Sequence, residues 1–313
     1  MQTPAPLRAR PHTTTSLTLV TAAAGCLMLQ LFVLPLWLLP RTGVAAWLLV
    51  PLVALSIPLW SVLHEAIHGS LLADRRSNDR LGRMLAVGYG APFILLKTGH
   101  LLHHRYSRTQ RERTEIFDPS HTTWLARAPG YYLRLFGGLY LAEVATVGLA
   151  AVPAAGWRRV ARRLDAPDTV TGMLLTTVRR RHLREFRVDA AATVALYTAS
   201  AVAYGRHAWL LVAAVAGRAV LVSLADNAYH YGTRLDAPLE AMNLALPRPL
   251  ETFVLAFNLH SVHHRHPGLP WHQLRRAFVA DEDRFHLGWF AAVARQARGP
   301  IPVTALRDRP PDS

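Results

Sequence analysis

Two stretches near the start of the chain carry no charged residue, 16–40 and 42–63, with Arg41 between them. A helix needs about 20 apolar residues to cross a hydrocarbon core about 30 Å thick. Each stretch is long enough, and the pattern predicts a helical hairpin. Pro35, Pro51 and Pro58 fall inside it, a placement that membrane helices tolerate because neighbours satisfy the freed backbone groups. A second pair follows: 190–205 has no charge, and 208–225 is interrupted only by Arg218. Arg218 reads either as a side chain reaching an interface or as a buried functional charge.

Two further apolar stretches fit a crossing less well. Residues 139–153 contain Glu143, and a crossing there would export 157–189, which holds nine Arg against four acids. Basic loops stay on the cytoplasmic side. Residues 131–153 are therefore expected to be interfacial or re-entrant, and 81–96 likewise. The expected fold is all-α: an integral membrane protein with about four transmembrane helices in two hairpins and a cytoplasmic, histidine-rich cap. Both termini then lie in the cytoplasm. The chain reads as a single domain over 1–313, with 301–313 as a solvated tail.

Composition narrows the function. The chain of 313 residues is 51% hydrophobic and 18% charged, with a net charge of +15. Such a charge raises nucleic acid as a partner, but the arginines flank apolar runs, so the lipid bilayer is the expected partner and nucleic acid is not. A single Cys excludes a disulfide framework.

The 16 histidines are clumped. His64 and His68 lie in HEAIH, His100, His103 and His104 in HLLHH, and His260, His263 and His264 in HSVHH. Residues three and four apart share a helix face, so each box turns its imidazoles to one side. Imidazole is the commonest neutral metal ligand. Eight ligands exceed the three or four of one zinc site and suffice for two ions. His230 follows the fourth apolar run as a ninth candidate ligand, with Asp226 or Asn227 on the same face beside it. His12, His121, His182, His207, His266, His272 and His286 lack the spacing and read as surface or packing residues. HEAIH also matches the HExxH signature of zinc proteases, with Glu65 as the base, but that reading leaves both HxxHH boxes unexplained.

HEAIHGS, HLLHHRYS followed by Asp118 and Pro119, and HSVHHRHPGLPWHQL resemble the three histidine boxes of the membrane fatty acid desaturase superfamily. The resemblance runs from His64 to Leu274 in order and spacing. It implies two Fe ions held by His64, His68, His100, His103, His104, His260, His263 and His264, with O2 as co-substrate and a separate electron donor of ferredoxin or cytochrome b5 type. His230 matches an additional ligand of some desaturases. Asp226, with Asn227 beside it, stands where acyl-CoA desaturases carry an Asn that holds a water. The HxxxH first box leans toward acyl-lipid desaturases and carotenoid oxygenases. The implied activity is that of a fatty acyl desaturase of acyl-lipid type in a bacterial cell membrane. Carotenoid ketolase, carotenoid hydroxylase and acyl hydroxylase are alternatives on a long-chain acyl or isoprenoid substrate. A zinc intramembrane protease is the distant one.

Overall fold

The computed structural model describes residues 11–307. They are mostly helical. α1 (Thr13–Met28) continues through a π-helical stretch (Leu29–Leu38), and after a turn the chain returns through α2 (Leu49–Ala54) and α3 (Ser56–His68). α4 (Arg75–Tyr89) and α5 (Phe93–Tyr106) meet at a sharp corner, and α6 (Trp124–Leu133) and α7 (Leu139–Ala145) follow. α8 (Ala154–Arg163) and α9 (Thr171–Arg181) precede α10 (Leu183–Tyr204) and α11 (Ala208–Ala228). Short helices finish the chain: α12 (Arg248–Phe253), α13 (His260–Arg265), α14 (Trp271–Ala280), α15 (Trp289–Arg295) and α16 (Thr304–Arg307). Two parallel pairs of two-residue strands tie distant loops together, Ile116–Phe117 with Ile301–Pro302 and Leu244–Ala245 with Leu287–Gly288.

Among the described residues, three helical runs are long and apolar enough to cross a membrane: Thr13–Leu38, Trp124–Ala151 and Leu183–Ala228. Two bent pairs bring the number to as many as five, Gly43–Ala54 with Ser56–His68 at 40° and Arg75–Tyr89 with Phe93–Tyr106 at 100°. The run Leu183–Ala228 is two helices. Arg218 Nη1 lies 3.1 Å from the Tyr197 hydroxyl. In one straight helix those positions would be about 30 Å apart at 1.5 Å per residue. The chain therefore doubles back at Gly205, whose φ is 51°. Arg218 also reaches Gln30 Oε1 at 3.0 Å and Ser56 Oγ at 3.2 Å, so the first pair of helices folds back on itself by the same reasoning. Outward-facing Trp47, Val50, Trp209 and Val212 are exposed, an apolar surface too extensive for water.

Arg218 is itself buried, at 1% exposure. Its guanidinium donates to the carbonyl of Tyr89 at 2.8 Å and faces the hydroxyls of Tyr140 and Tyr197. It clamps the corner between α4 and α5 and does not reach an interface. That corner needs glycine: Gly90 has a φ of 110°, and a Cβ there would lie 3.0 Å from the Tyr140 hydroxyl.

The apolar stretch of 131–153, expected to be interfacial or re-entrant, lies in a helical run, Trp124–Ala151, that is long and apolar enough to cross and is broken at Gly137, whose φ is 128°. One expectation meets a different structure: the segment 301–307 is not a solvated tail. Ile301 N–H donates to the Glu115 carbonyl and Val303 N–H to that of Phe117, each at 2.8 Å, and Val303 and Leu306 are buried. The rest of that expected tail lies outside the described residues.

Candidate metal centre

Box one occupies the last turns of α3. Gly69 closes that helix in the left-handed conformation, and Ser70 N–H returns to the Glu65 carbonyl at 2.9 Å. Box two ends α5. Box three is α13, only six residues long. Asn243 starts it, because its Oδ1 accepts from the N–H groups of Ser261 and Val262 at 3.1 and 3.3 Å. His230 sits in the turn after α11 and is buried.

The nine histidines fall into two groups. His64, His68, His100, His104 and His263 form one, and His103, His230, His260 and His264 the other. Within each group the ligating atoms all lie within 4.8 Å of one another. The boxes are split. His103 leaves its neighbours in box two for the second group, and His263 leaves those in box three for the first. Adjacent helical residues point about 100° apart at 3.6 residues per turn, so the paired HH of each box cannot face one ion. The expectation that each triplet shares one face is corrected accordingly.

Nε2 of His100 lies 2.9 Å from that of His68 and 3.0 Å from that of His104. His263 and His104 are 3.0 Å apart, and His103 and His230 3.1 Å. Two nitrogens about 2.1 Å from one ion and at right angles would be about 3 Å apart. Nε2 of His64 and of His264 are buried without a hydrogen-bond partner, a costly state unless a ligand completes it. The residues therefore fit two bound ions. Burial, then the neighbouring imidazoles, hold His230, His260 and His263 well below the ordinary histidine pKa. The neutral form that binds metal is favoured.

Groups around the ligands orient them. His103 Nδ1 meets Glu112 Oε1 at 2.9 Å, fixing Nε2 as the free nitrogen. Burial pushes the Glu112 carboxyl up, but His103 outweighs it and holds the group below its ordinary value. His230 Nδ1 faces the Glu240 carbonyl at 3.3 Å, and His264 Nδ1 that of Pro238 at 3.4 Å. Nothing in the sequence spacing marks Glu112, which lies in a polar loop nine residues after His103. Glu112→Gln is expected to weaken metal retention in the second group about 10–100-fold, read as metal kept per chain during dialysis against a chelator.

Neither Asp226 nor Asn227 is a member of either group, although Asp226 lies close enough to His103 to act on it electrostatically. Asn227 donates to Gln296 Oε1 at 2.6 Å. Asp226 lines a cavity of about 950 Å³ that also reaches His100 and His103. Among the remaining histidines, His286 Nδ1 accepts from Asn243 N–H at 3.0 Å and so supports box three. His266 pairs with Asp281, and His12 stacks edge-on against His272. Glu65 Oε2 accepts from the Trp271 N–H at 3.1 Å and from Ser70 Oγ at 2.9 Å.

The sequence model of the family described as Fatty acid desaturase matches residues 42–291. A "Beta-carotene ketolase" of Paracoccus sp. (strain PC1) is 33% identical over 100 residues, covering 30% of this chain and 40% of that protein. A second, of Paracoccus sp. (strain N81106 / MBIC 01143), is 31% identical over 144 residues, covering 43% and 57%. The chain thus spans about half the length of these curated relatives. No solved structure matches.

Proposed function

The chain belongs to the fatty acid desaturase family, and from that membership we propose that it is an O2-dependent membrane oxidoreductase that attacks a C–H bond of a long hydrocarbon. The observation that carries the reading is the pair of all-imidazole groups beside a cavity of about 950 Å³. The nine histidines of those groups are the proposed ligands of two iron ions. Bound there, iron supplies O2 activation, chemistry that zinc lacks because it has no redox states. The chain supplies the rest. Glu112 keeps the His103 proton at Nδ1, and Leu95, Leu96, Leu139 and Val222 on the cavity wall hold a hydrocarbon and exclude water. Electrons come from a separate donor of ferredoxin or cytochrome b5 type.

An isoprenoid substrate is the first reading, because both relatives are named for β-carotene. The HxxxH spacing of box one keeps a fatty acyl lipid as the second. Cells that make β-carotene, with and without the gene, decide between them. Mass spectrometry is expected to find oxygenated carotenoid only with the gene. A changed fatty acid profile with untouched carotenoid would select the second reading, and no change in either would overturn the proposal.

The protease reading loses support at Glu65, whose carboxylate is engaged by Trp271 and Ser70. Glu65→Gln is expected to keep both metals and a substantial part of the O2-dependent activity. Activity that needs neither O2 nor a donor, and vanishes in this variant, would instead indicate hydrolysis.

All basic loops and both termini are proposed to lie in the cytoplasm. A Cβ on Gly99, the residue before His100, would lie 3.8 Å from Leu174 of α9. That proximity supports placing α9 and the arginines around it on the side of the metal groups, with Trp124–Ala151 dipping in and returning. Reporter fusions after Asp74, Asp165 and Ser313 are expected to report the cytoplasm, and one at Arg206 the opposite side. An external Asp165 would make Trp124–Ala151 a crossing.

A further inference from the structure

The exposed side of α10 is a single stripe. Arg184, Val188, Ala191, Ala195, Thr198 and Val202 follow one another at helical spacing, and all are exposed. From Val188 onward the stripe carries no charge, as a face against hydrocarbon requires. Its first residue is an arginine, one turn and about 6 Å along the axis before Val188. Arg184 therefore stands where hydrocarbon gives way to lipid headgroups. α8 is held at the same level. Trp157, on its buried face, packs edge-on against Phe186 of α10 with centroids 5.0 Å apart, and its indole Nε1 donates to the Leu149 carbonyl at 2.8 Å. Arg187 of α10 donates to the Val152 carbonyl at 2.9 Å, so the chain entering α8 is tied to the same turns of α10. The other face of α8 presents Arg158, Arg159, Arg162 and Arg163, all exposed, and the end of α9 adds Arg180 and Arg181.

Seven exposed arginines thus crowd one level, against three exposed acids in the same stretch, Asp165, Asp168 and Glu185. Glu185 is engaged by His182 at 3.0 Å, and none of the seven arginines forms an ion pair among the described residues. Arg158 and Arg162, like Arg159 and Arg163, are four apart, a spacing at which like charges repel. Such a face calls for a dense layer of negative charge, and the planar guanidinium matches phosphate geometry. We propose that the arginines of α8, of the end of α9 and of the first turn of α10 form a binding surface for the phosphate groups of anionic phospholipids. An acidic soluble protein would have to enter the headgroup layer to reach Arg184, whereas lipid phosphate is already at that depth.

This surface adjoins the cavity. Thr171 and Leu174, in the first turn of α9, line it, and Arg180 and Arg181 end the same helix. Phosphates bound at one end of α9 hold the helix, and with it that part of the cavity wall, at a fixed depth in the membrane. The proposal needs only that α10 faces lipid, and it is independent of the chemistry at the histidines.

The test uses the full chain in phosphatidylcholine vesicles, probed with spin-labelled phosphatidylglycerol or spin-labelled phosphatidylcholine. Electron paramagnetic resonance reads the fraction of label immobilised on the protein. Phosphatidylglycerol is expected to be preferred about fivefold, the scale of one arginine beside an anionic layer. About 1 M salt, which screens charges beyond about 3 Å, should remove most of that preference. The combined variant Arg158→Gln, Arg159→Gln, Arg162→Gln and Arg163→Gln should at least halve it. Adding Arg180→Gln, Arg181→Gln and Arg184→Gln should bring the two lipids to within about 1.5-fold. Lysine at the four α8 positions keeps the charge and should keep most of the preference, which preserves the comparison if a glutamine variant fails to fold. Arg206→Gln, at the other end of α10, should leave the preference unchanged. No preference in the unaltered protein, or one that survives all seven substitutions, would overturn the proposal. Excess inorganic phosphate should not displace the labelled lipid; displacement would assign the surface to a soluble anion and overturn the lipid reading. If the seven substitutions spare the lipid preference but abolish reduction by an acidic electron donor, the surface belongs to that donor and the proposal falls. Each of the lipid measurements reads the same way whether or not the chain oxidises a hydrocarbon, so failure of the proposed function would not decide this surface.

Discussion

His263→Ala and His264→Ala, neighbours in sequence, are expected to empty different metal positions. His263 belongs to the five-histidine group and His264 to the four-histidine group. Each variant should fall from about two irons per chain to about one, and product formation should fall at least 10–100-fold, the scale of disturbing even the groups around a ligand (about 10–100-fold). His68→Ala should resemble His263→Ala, and His260→Ala should resemble His264→Ala. Iron content by elemental analysis and the spectroscopic signature of the remaining ion check this. The pairing runs across the boxes, so matching spectra for His263→Ala and His264→Ala would sink the two-group arrangement. Full iron content and activity in both would sink the shared centre.

Arg218→Met is expected to be the most destabilising change outside the histidines. The side chain is buried and satisfies the Tyr89 carbonyl, Gln30, Ser56 and two tyrosine hydroxyls. Methionine fills a similar volume but leaves those acceptors open, at about 1–3 kcal/mol for each that finds no new donor. The loss should amount to several kcal/mol, seen as a lower unfolding temperature in detergent. Arg218→Lys keeps the charge but lacks the planar fork that reaches several acceptors at once, so it should fall between the two. The corner at Gly90 carries α5 and box two, and iron retention should follow the same order. An Arg218→Met protein as stable and as iron-replete as the parent would remove the clamp from the account.

Sequence alone determined the parts set by local pattern. Charge-free runs of helical length are legible because the bilayer imposes its thickness on each crossing separately. The histidine spacing is legible because the helix fixes which residues share a face. The turn at Gly205 is marked less plainly, as the apolar runs on either side of it, 190–205 and 208–225, are shorter than a full crossing. Tertiary structure decided what depends on neighbours distant in the chain. The division of His103 from His104, and of His263 from His264, rests on how α3, α5 and α13 are rotated against one another, and no single helix carries that information. Glu112 and Asn243 orient histidines from loops with no periodicity to mark them. Arg218 could lie at an interface or in the interior on its own sequence; Gln30, Ser56 and Tyr89, brought together from three other segments, hold it inside. The segment 301–307 reads as solvated because Pro and Arg surround it, yet its backbone pairs with 115–117, a partner nearly 190 residues away. Periodicity reports only which face a residue presents. What meets that face is set by the packing of the whole chain.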